Sequence, residues 1–321
     1  MVDVSSKPSK MESGPVTEYP RGDNETSEWL RRINLFSLFV KDIPDDVDKH
    51  AVVKIAIIDD GVSIEKISGT PRSISGGMSF HRRGRMGRHH FPSSNGHGTE
   101  MADCVLQVFP KAKLYIARLD TLTQGVLQAI IGAVEQKVDI ILMSWTIEKT
   151  NENGAAVDKM GKAIDKASEA KILMFCAAKD GGADQGNSYG YPRVFYKPIF
   201  CVGAATQNGQ RSGRIGTQDV DLLFQGENFT SLATDSRAAG LLLYCAHVGK
   251  QRPDGSEDRG RDDRRKDLKT FEKMKATLED MVIAEKYFPA PKFFHIDGDG
   301  SWYEDEYGPR VINGVIASIE K

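Results

Sequence analysis

Between residues 51 and 203 the apolar positions fall into two alternating rhythms. Val52-Val53-Lys54-Ile55-Ala56-Ile57-Ile58 is a short β-branched run halted by Asp59-Asp60-Gly61, and it predicts a buried strand ending in a tight turn. Runs of the same kind recur at Lys113–Ala117, Val138–Ser144, Ile172–Ala177 and Pro198–Gly203. Between them, residues 99–108, 123–136 and 155–169 carry the 3.6-residue spacing of amphipathic helices. Strands alternating with helices of this length predict an α/β fold: a three-layer, mostly parallel sheet with helices on both faces. Sites in such sheets form at the carboxyl ends of the strands. The polar residues that stop the apolar runs are therefore the first to read for chemistry.

The flanks have a different character. Residues 1–27 are rich in Ser, Pro, Glu, Asp and Lys and are expected to be disordered. Thr26 or Ser27 can cap a helix through Trp29, Leu30, Ile33, Leu35, Phe36 and Phe39, which Pro44 ends; residues 28–49 are read as an N-terminal helical extension. Past Cys245, residues 249–267 intersperse Lys250, Arg252, Arg259, Arg261, Arg264, Arg265 and Lys266 with six aspartates and glutamates, the pattern of a solvated charged linker. Residues 268–321 form a C-terminal helical and mixed extension. It begins with a helix placing Leu268, Phe271, Met274, Leu278, Met281 and Val282 on one face and ends with apolar residues from Trp302 to Ile319. No internal repeat is visible.

Composition narrows the classes. The 321 residues suit one domain of about 200–250 residues with extensions. A formal net charge of −2 implies neither a nucleic-acid partner nor a membrane surface. No apolar run approaches the roughly 20 residues that span a bilayer, and the polar N-terminus lacks a secretory apolar stretch. The expected compartment is the cytoplasm, with Cys104, Cys176, Cys201 and Cys245 as reduced thiols. The Asn24-Glu25-Thr26 and Asn228-Phe229-Thr230 acceptor patterns then carry no meaning. No metal site and no cofactor is expected. His89 and His90 are adjacent, which suits metal poorly. Asp297-Gly298-Asp299 starts like a calcium loop, yet Trp302 stands where the glycine belongs. Neither common phosphate loop occurs. Residues 81–90, with four arginines and three histidines, are read as a solvated surface loop.

Three segments carry chemistry together. Asp59 ends a buried strand, His97 sits between Gly96 and Gly98 where a helix opens, and Ser231, in Thr230-Ser231-Leu232-Ala233-Thr234, stands at the start of an apolar helix. A serine hydroxyl becomes a nucleophile when a base takes its proton, and an imidazole does so when a carboxylate fixes its tautomer. A serine at a helix N-terminus also has its own N–H and the helix dipole aimed at a developing oxyanion.

At these residues the chain resembles the subtilisin family of serine proteases. Asp59-Asp60-Gly61, His97-Gly98-Thr99 and Thr230-Ser231-Leu232-Ala233-Thr234 stand in the family's order of acid, base and nucleophile. Ile141-Leu142-Met143-Ser144-Trp145 resembles the strand and turn that line the specificity pocket and pair with substrate, and Phe175–Gly182 the strand end bearing the oxyanion residue. Tyr191-Pro192 and Ile199–Ala204 resemble the stretch that follows. The resemblance covers roughly residues 50–248. It implies a subtilisin-like catalytic domain, an Asp59-His97-Ser231 triad, and Met143, Ser144 and Trp145 against a peptide or protein substrate. Nothing in the sequence fixes an oligomeric state.

Three features depart from the family's pattern. Asp180 holds the oxyanion position where an amide would donate, Phe229 replaces a glycine two residues before the serine, and the stretch from Thr234 to Gly240 is one residue longer. A protonated Asp180 could still donate. Two readings follow: a serine endopeptidase acting through an acyl-enzyme, or a catalytically weak or inactive domain of this type that binds peptides or partners.

Overall fold

A computed structural model describes residues 37–41, 43, 52–67, 71–80, 86–87, 91–119, 125–179, 190–195, 198–206, 209–213, 215, 220–225, 240, 243–244 and 261–281. Its centre is a sheet of eight strands among the described residues: β1 (Lys54–Asp59), β2 (Ile74–Phe80), β3 (Met86–Gly87), β4 (Lys113–Leu119), β5 (Ile140–Met143), β6 (Leu173–Ala177), β7 (Phe200–Ala205) and β8 (Leu222–Gln225), in the order β3-β2-β4-β1-β5-β6-β7-β8. Every pairing is parallel except that of β3 with β2. Burial on both faces explains why β1 and β5 read as unbroken apolar runs without alternation. β2 was not visible in the sequence because Gly76 and Gly77 interrupt its pattern, and Met86–Gly87 brings part of the predicted basic loop into the sheet.

Helices flank it, among them α1 (His97–Val108), α2 (Val126–Glu135), α3 (Gly154–Glu169), α4 (Arg261–Leu268) and α5 (Phe271–Met281). α3 buries Val157, Met160, Ala163, Ile164 and Ala167, the stripe expected of one helix face against a core. The helices lie on opposite faces. Ile55 shares a face of β1 with Asp59, and its Cδ1 and the ring of Phe109, the residue that closes α1, both lie within 3.5 Å of where a Cβ on Gly240 would sit. Tyr115, in register with Ala56, faces the other way, where a Cβ on Gly132 of α2 would lie 3.4 Å from its hydroxyl.

The two flanking segments join the core. Phe39 and Val40 are buried, and Ser37 Oγ donates to the Gln107 carbonyl (2.6 Å). Residues 261–267 of the expected solvated charged linker, with Leu268 after them, are helical. The reason is an anchor distant in sequence. Arg265 Nη2 lies 3.3 Å from Asp139 Oδ1 and donates to the Val52 carbonyl at 2.5 Å, while Lys269 Nζ is 2.7 Å from the same Asp139 oxygen. Leu268, Met274 and Leu278 are then fully buried, and the Phe271 ring meets Phe200 at 4.6 Å. Asp139, Val52 and Phe200 all lie at the amino-terminal ends of strands, so this latch grips the end of the sheet opposite Asp59. Cys104, Cys176 and Cys201 form no disulfide with one another; Cys245, His89 and His90 lie outside the described residues.

Candidate active site

The polar cluster forms where β1 and β5 end side by side. Asp59 is the last residue of β1 and its side chain is 2% exposed. His97 is the first residue of α1, and its Nδ1 lies 2.9 Å from Asp59 Oδ2 and 3.0 Å from Oδ1. An ionised carboxylate only accepts, so Nδ1 carries the proton and Nε2 is left with its lone pair. Asp59 takes two further hydrogen bonds: the Asp60 N–H donates to Oδ1 (2.8 Å) and Ser144 Oγ–H to Oδ2 (2.5 Å). A carboxylate so surrounded has one orientation, and it passes that orientation to the imidazole.

Burial resists charging His97, but the hydrogen bond and charge of Asp59, with the charges of Asp60 and Glu100, outweigh it and hold the imidazole pKa above its ordinary 6.5. With a 29% exposed side chain, His97 keeps part of its ring toward solvent. A base that is oriented on one side and open on the other can accept a proton from an incoming hydroxyl.

Two glycines make this approach possible, for different reasons. Gly96 has φ +97°, in the left-handed region, with open space where a Cβ would point. At Gly98 a Cβ would lie 2.8 Å from Asp60 Oδ1 and even closer to the Gly61 carbonyl. The close approach at Gly98 is therefore to the Asp59–Gly61 turn.

Met143 ends β5 fully buried, and Trp145 is buried with its indole N–H donating to the Ile58 carbonyl (2.8 Å). Asp59, His97 and Ser144 are thus brought together by the fold, while Ser231, Asp180 and Phe229 lie outside the described residues. Sequence reasoning placed Ser144 against substrate and missed its bond to Asp59, 85 residues away. It also missed Asp60, whose carboxylate is buried beside the site. Among the described residues, no group of three or more His, Cys, Asp or Glu side chains is placed to hold a metal ion.

The subtilase family model matches residues 51–250, well over half of the chain. This chain belongs to the subtilase family. This subtilase is 31% identical over 216 residues to the intracellular serine protease of Paenibacillus polymyxa, covering 61% of this chain and 64% of that protein. It therefore spans less than two-thirds of that relative's length. It is 26% identical over 246 residues to the major intracellular serine protease of Bacillus subtilis (strain 168), covering 70% and 73% of the two chains. Among solved structures, a lanthipeptide protease superposes with a TM-score of 0.58 at 13% identity, over 82% of this chain and 94% of that one. At that identity the likeness is one of fold, and it matches the parallel sheet with helices on both faces.

Proposed function

We propose that this subtilase is a serine endopeptidase in which Ser231 attacks the scissile carbonyl, His97 takes the hydroxyl proton and Asp59 fixes the imidazole. The observation that supports it most is the His97–Asp59 pair, with Nδ1 held at 2.9 Å on a buried carboxylate and the ring partly open.

The oxyanion in this proposal meets the Ser231 N–H and the residue at 180. Met143, Ser144 and Trp145 flank the substrate, and because the Ser144 hydroxyl and Trp145 indole are committed inside the protein, they offer an extended peptide their main chain. Both bacterial relatives carry the word intracellular in their names, and no helix among the described residues is long and apolar enough to cross a membrane; we place the enzyme in the cytoplasm acting on peptides or proteins. Asp180 and Phe229 favour one alternative, a domain of this fold that binds peptides without cleaving them. A fluorophosphonate probe separates the two. The peptidase reading expects modification of Ser231, abolished in Ser231→Ala and His97→Ala; equal labelling of wild type and His97→Ala would overturn it.

A further inference from the structure

The second acid of the Asp59-Asp60-Gly61 turn takes no part in the proton transfer, yet it is 1% exposed and every bond its carboxylate makes goes to the loop that carries His97. Its Oδ1 accepts the Gly98 N–H (2.7 Å), and its Oδ2 accepts the Asn95 N–H (2.6 Å) and the Ser93 hydroxyl (2.7 Å). The Ser93 oxygen in turn accepts the Gly96 N–H (2.8 Å), and Asn95 Oδ1 accepts the His97 N–H (3.0 Å). Each amide N–H from 95 to 98 is thereby committed, three of the four to Asp60 directly or through Ser93. The Asp60 main chain joins in, its carbonyl accepting the Ser94 N–H at 3.2 Å.

Two physical points single this arrangement out. Gly96, at the N-cap of α1, has no side chain to satisfy the helix's first N–H groups. Asp60 supplies that cap from 38 residues away, and a carboxylate at a helix N-terminus also gains from the dipole. Second, the same peptide turn holds both halves of the acid–base pair, because the Asp60 N–H donates to Asp59 Oδ1 while the Asp60 carboxylate holds the His97 loop.

We infer that Asp60 is a positioning residue for the proposed reaction: its buried carboxylate sets the His97 ring opposite Asp59 by clamping residues 93–98. This rests on the peptidase reading for its catalytic consequence but not for its geometry. Asp60→Asn keeps the volume and fails chemically. An amide turns one donor toward either Gly98 or Asn95, whose N–H groups both need an acceptor. A shift of about 1 Å in a catalytic group costs on the order of 100-fold, and the loss should fall on kcat with KM little changed, since no substrate contact is removed.

The test compares full-length wild type, Asp60→Asn and Ser93→Ala in two measurements. One is the low-field proton NMR signal of the His97 Nδ1–H, identified by its absence in His97→Gln; the other is kcat and KM on a peptide ester. Other charged groups around the ring are Asp59 from β1 and Glu100 from α1, and Arg118 of β4 reaches the loop at Ser94 Oγ (3.1 Å); all are kept in these variants. The inference expects faster solvent exchange of the Nδ1–H and a fall in kcat of about 100-fold in Asp60→Asn, with a smaller fall in Ser93→Ala. A purely structural Asp60 would lower the melting temperature and leave the signal and the kcat per folded chain as in wild type, which overturns it. Should Asp60→Asn not fold, an unaltered Nδ1–H and kcat in Ser93→Ala overturns it equally. If wild type itself neither labels with fluorophosphonate nor cleaves, the peptidase reading falls while the Nδ1–H signal still decides the role of Asp60.

Discussion

Two buried aspartates sit at opposite ends of the same sheet, and their partners differ in one property. Asp59, at the carboxyl end of β1, faces an imidazole, a hydroxyl and an amide. Asp139, just before the amino end of β5, faces the ammonium of Lys269, the guanidinium of Arg265 and the Lys54 N–H, which donates to its Oδ2 at 2.8 Å. Lysine and arginine stay charged throughout the physiological range, whereas histidine changes charge within it. Asp139 therefore holds a permanent pair, and Asp59 a partner whose charge can come and go. The first suits a latch that fixes two helices, and the second suits a proton transfer. Burial and residue type are the same, so the partner's ability to titrate separates the roles.

The comparison breaks most sharply at Asp59. Asp59→Asn would turn an amide donor toward Nδ1–H and favour the wrong tautomer, and in triad enzymes this loss is about 10⁴-fold in kcat. Some stability goes with it, because the carboxylate's charge-assisted hydrogen bonds are weakened, but the fall in kcat should far exceed anything the melting temperature registers. Asp139→Ala should do the reverse. Breaking a buried ion pair costs about 3–5 kcal/mol, and the low end applies because Lys269 and Arg265 retain 25% and 16% exposure. Urea denaturation should register that loss while kcat per folded molecule stays near wild type. A large kcat loss in Asp139→Ala at full folding would abolish the distinction between the two ends.

The next effect depends on pH. Because its native pKa is raised above 6.5, His97 binds its proton more tightly in the folded chain than in the unfolded one. That stabilisation is complete below the unfolded value of 6.5 and is lost as pH rises through the higher native value. Catalysis needs the neutral base, so kcat/KM should rise over the window where this stability falls, with an acid limb above 6.5 and about tenfold lost per pH unit below it. His97→Gln should flatten the stability change. Asp139→Ala should leave the activity limb in place. An acid limb centred below 6.5 would show that burial outweighs the acids around the ring.

What could be read from the sequence follows from how local each signal is. The β1 run and its terminal Asp59 were legible because strand and turn are contiguous, and His97 because glycines flank it at a helix start. β2 was not, since Gly76 and Gly77 erase the pattern that a strand otherwise writes. The helix at 261–268 was hidden by its charges, because the acid that engages Arg265 is 126 residues earlier. Asp60 was visible as a residue, but its bonds to residues 93–98 exist only after β1 and α1 have packed. The Ser144 hydroxyl had the same difficulty in stronger form, with a resemblance already assigning its segment to substrate.

Ser144 gives the finest test of the comparison. Its hydroxyl donates to Asp59 Oδ2 at 2.5 Å, the oxygen that also lies 2.9 Å from His97 Nδ1. Removing that donor leaves the Asp60 N–H and the imidazole in place, so the pair should survive with a looser carboxylate. A hydrogen bond to a charged group contributes about 1.5–3 kcal/mol. Only part of that appears as transition-state stabilisation, because the carboxylate is held by two other donors. Ser144→Ala is therefore expected to lower kcat by about tenfold, far less than Asp59→Asn. The position of the loss identifies its cause. If Ser144 acts through Asp59, kcat falls and KM holds for short and long peptides alike. If its segment serves substrate alone, KM rises and the loss grows with peptide length. The corresponding deletion at the other end, Lys269→Met, removes one of two cations from Asp139 and should change stability while leaving both kinetic constants alone. A Ser144→Ala enzyme with wild-type kcat would mean that the amide and imidazole alone orient Asp59.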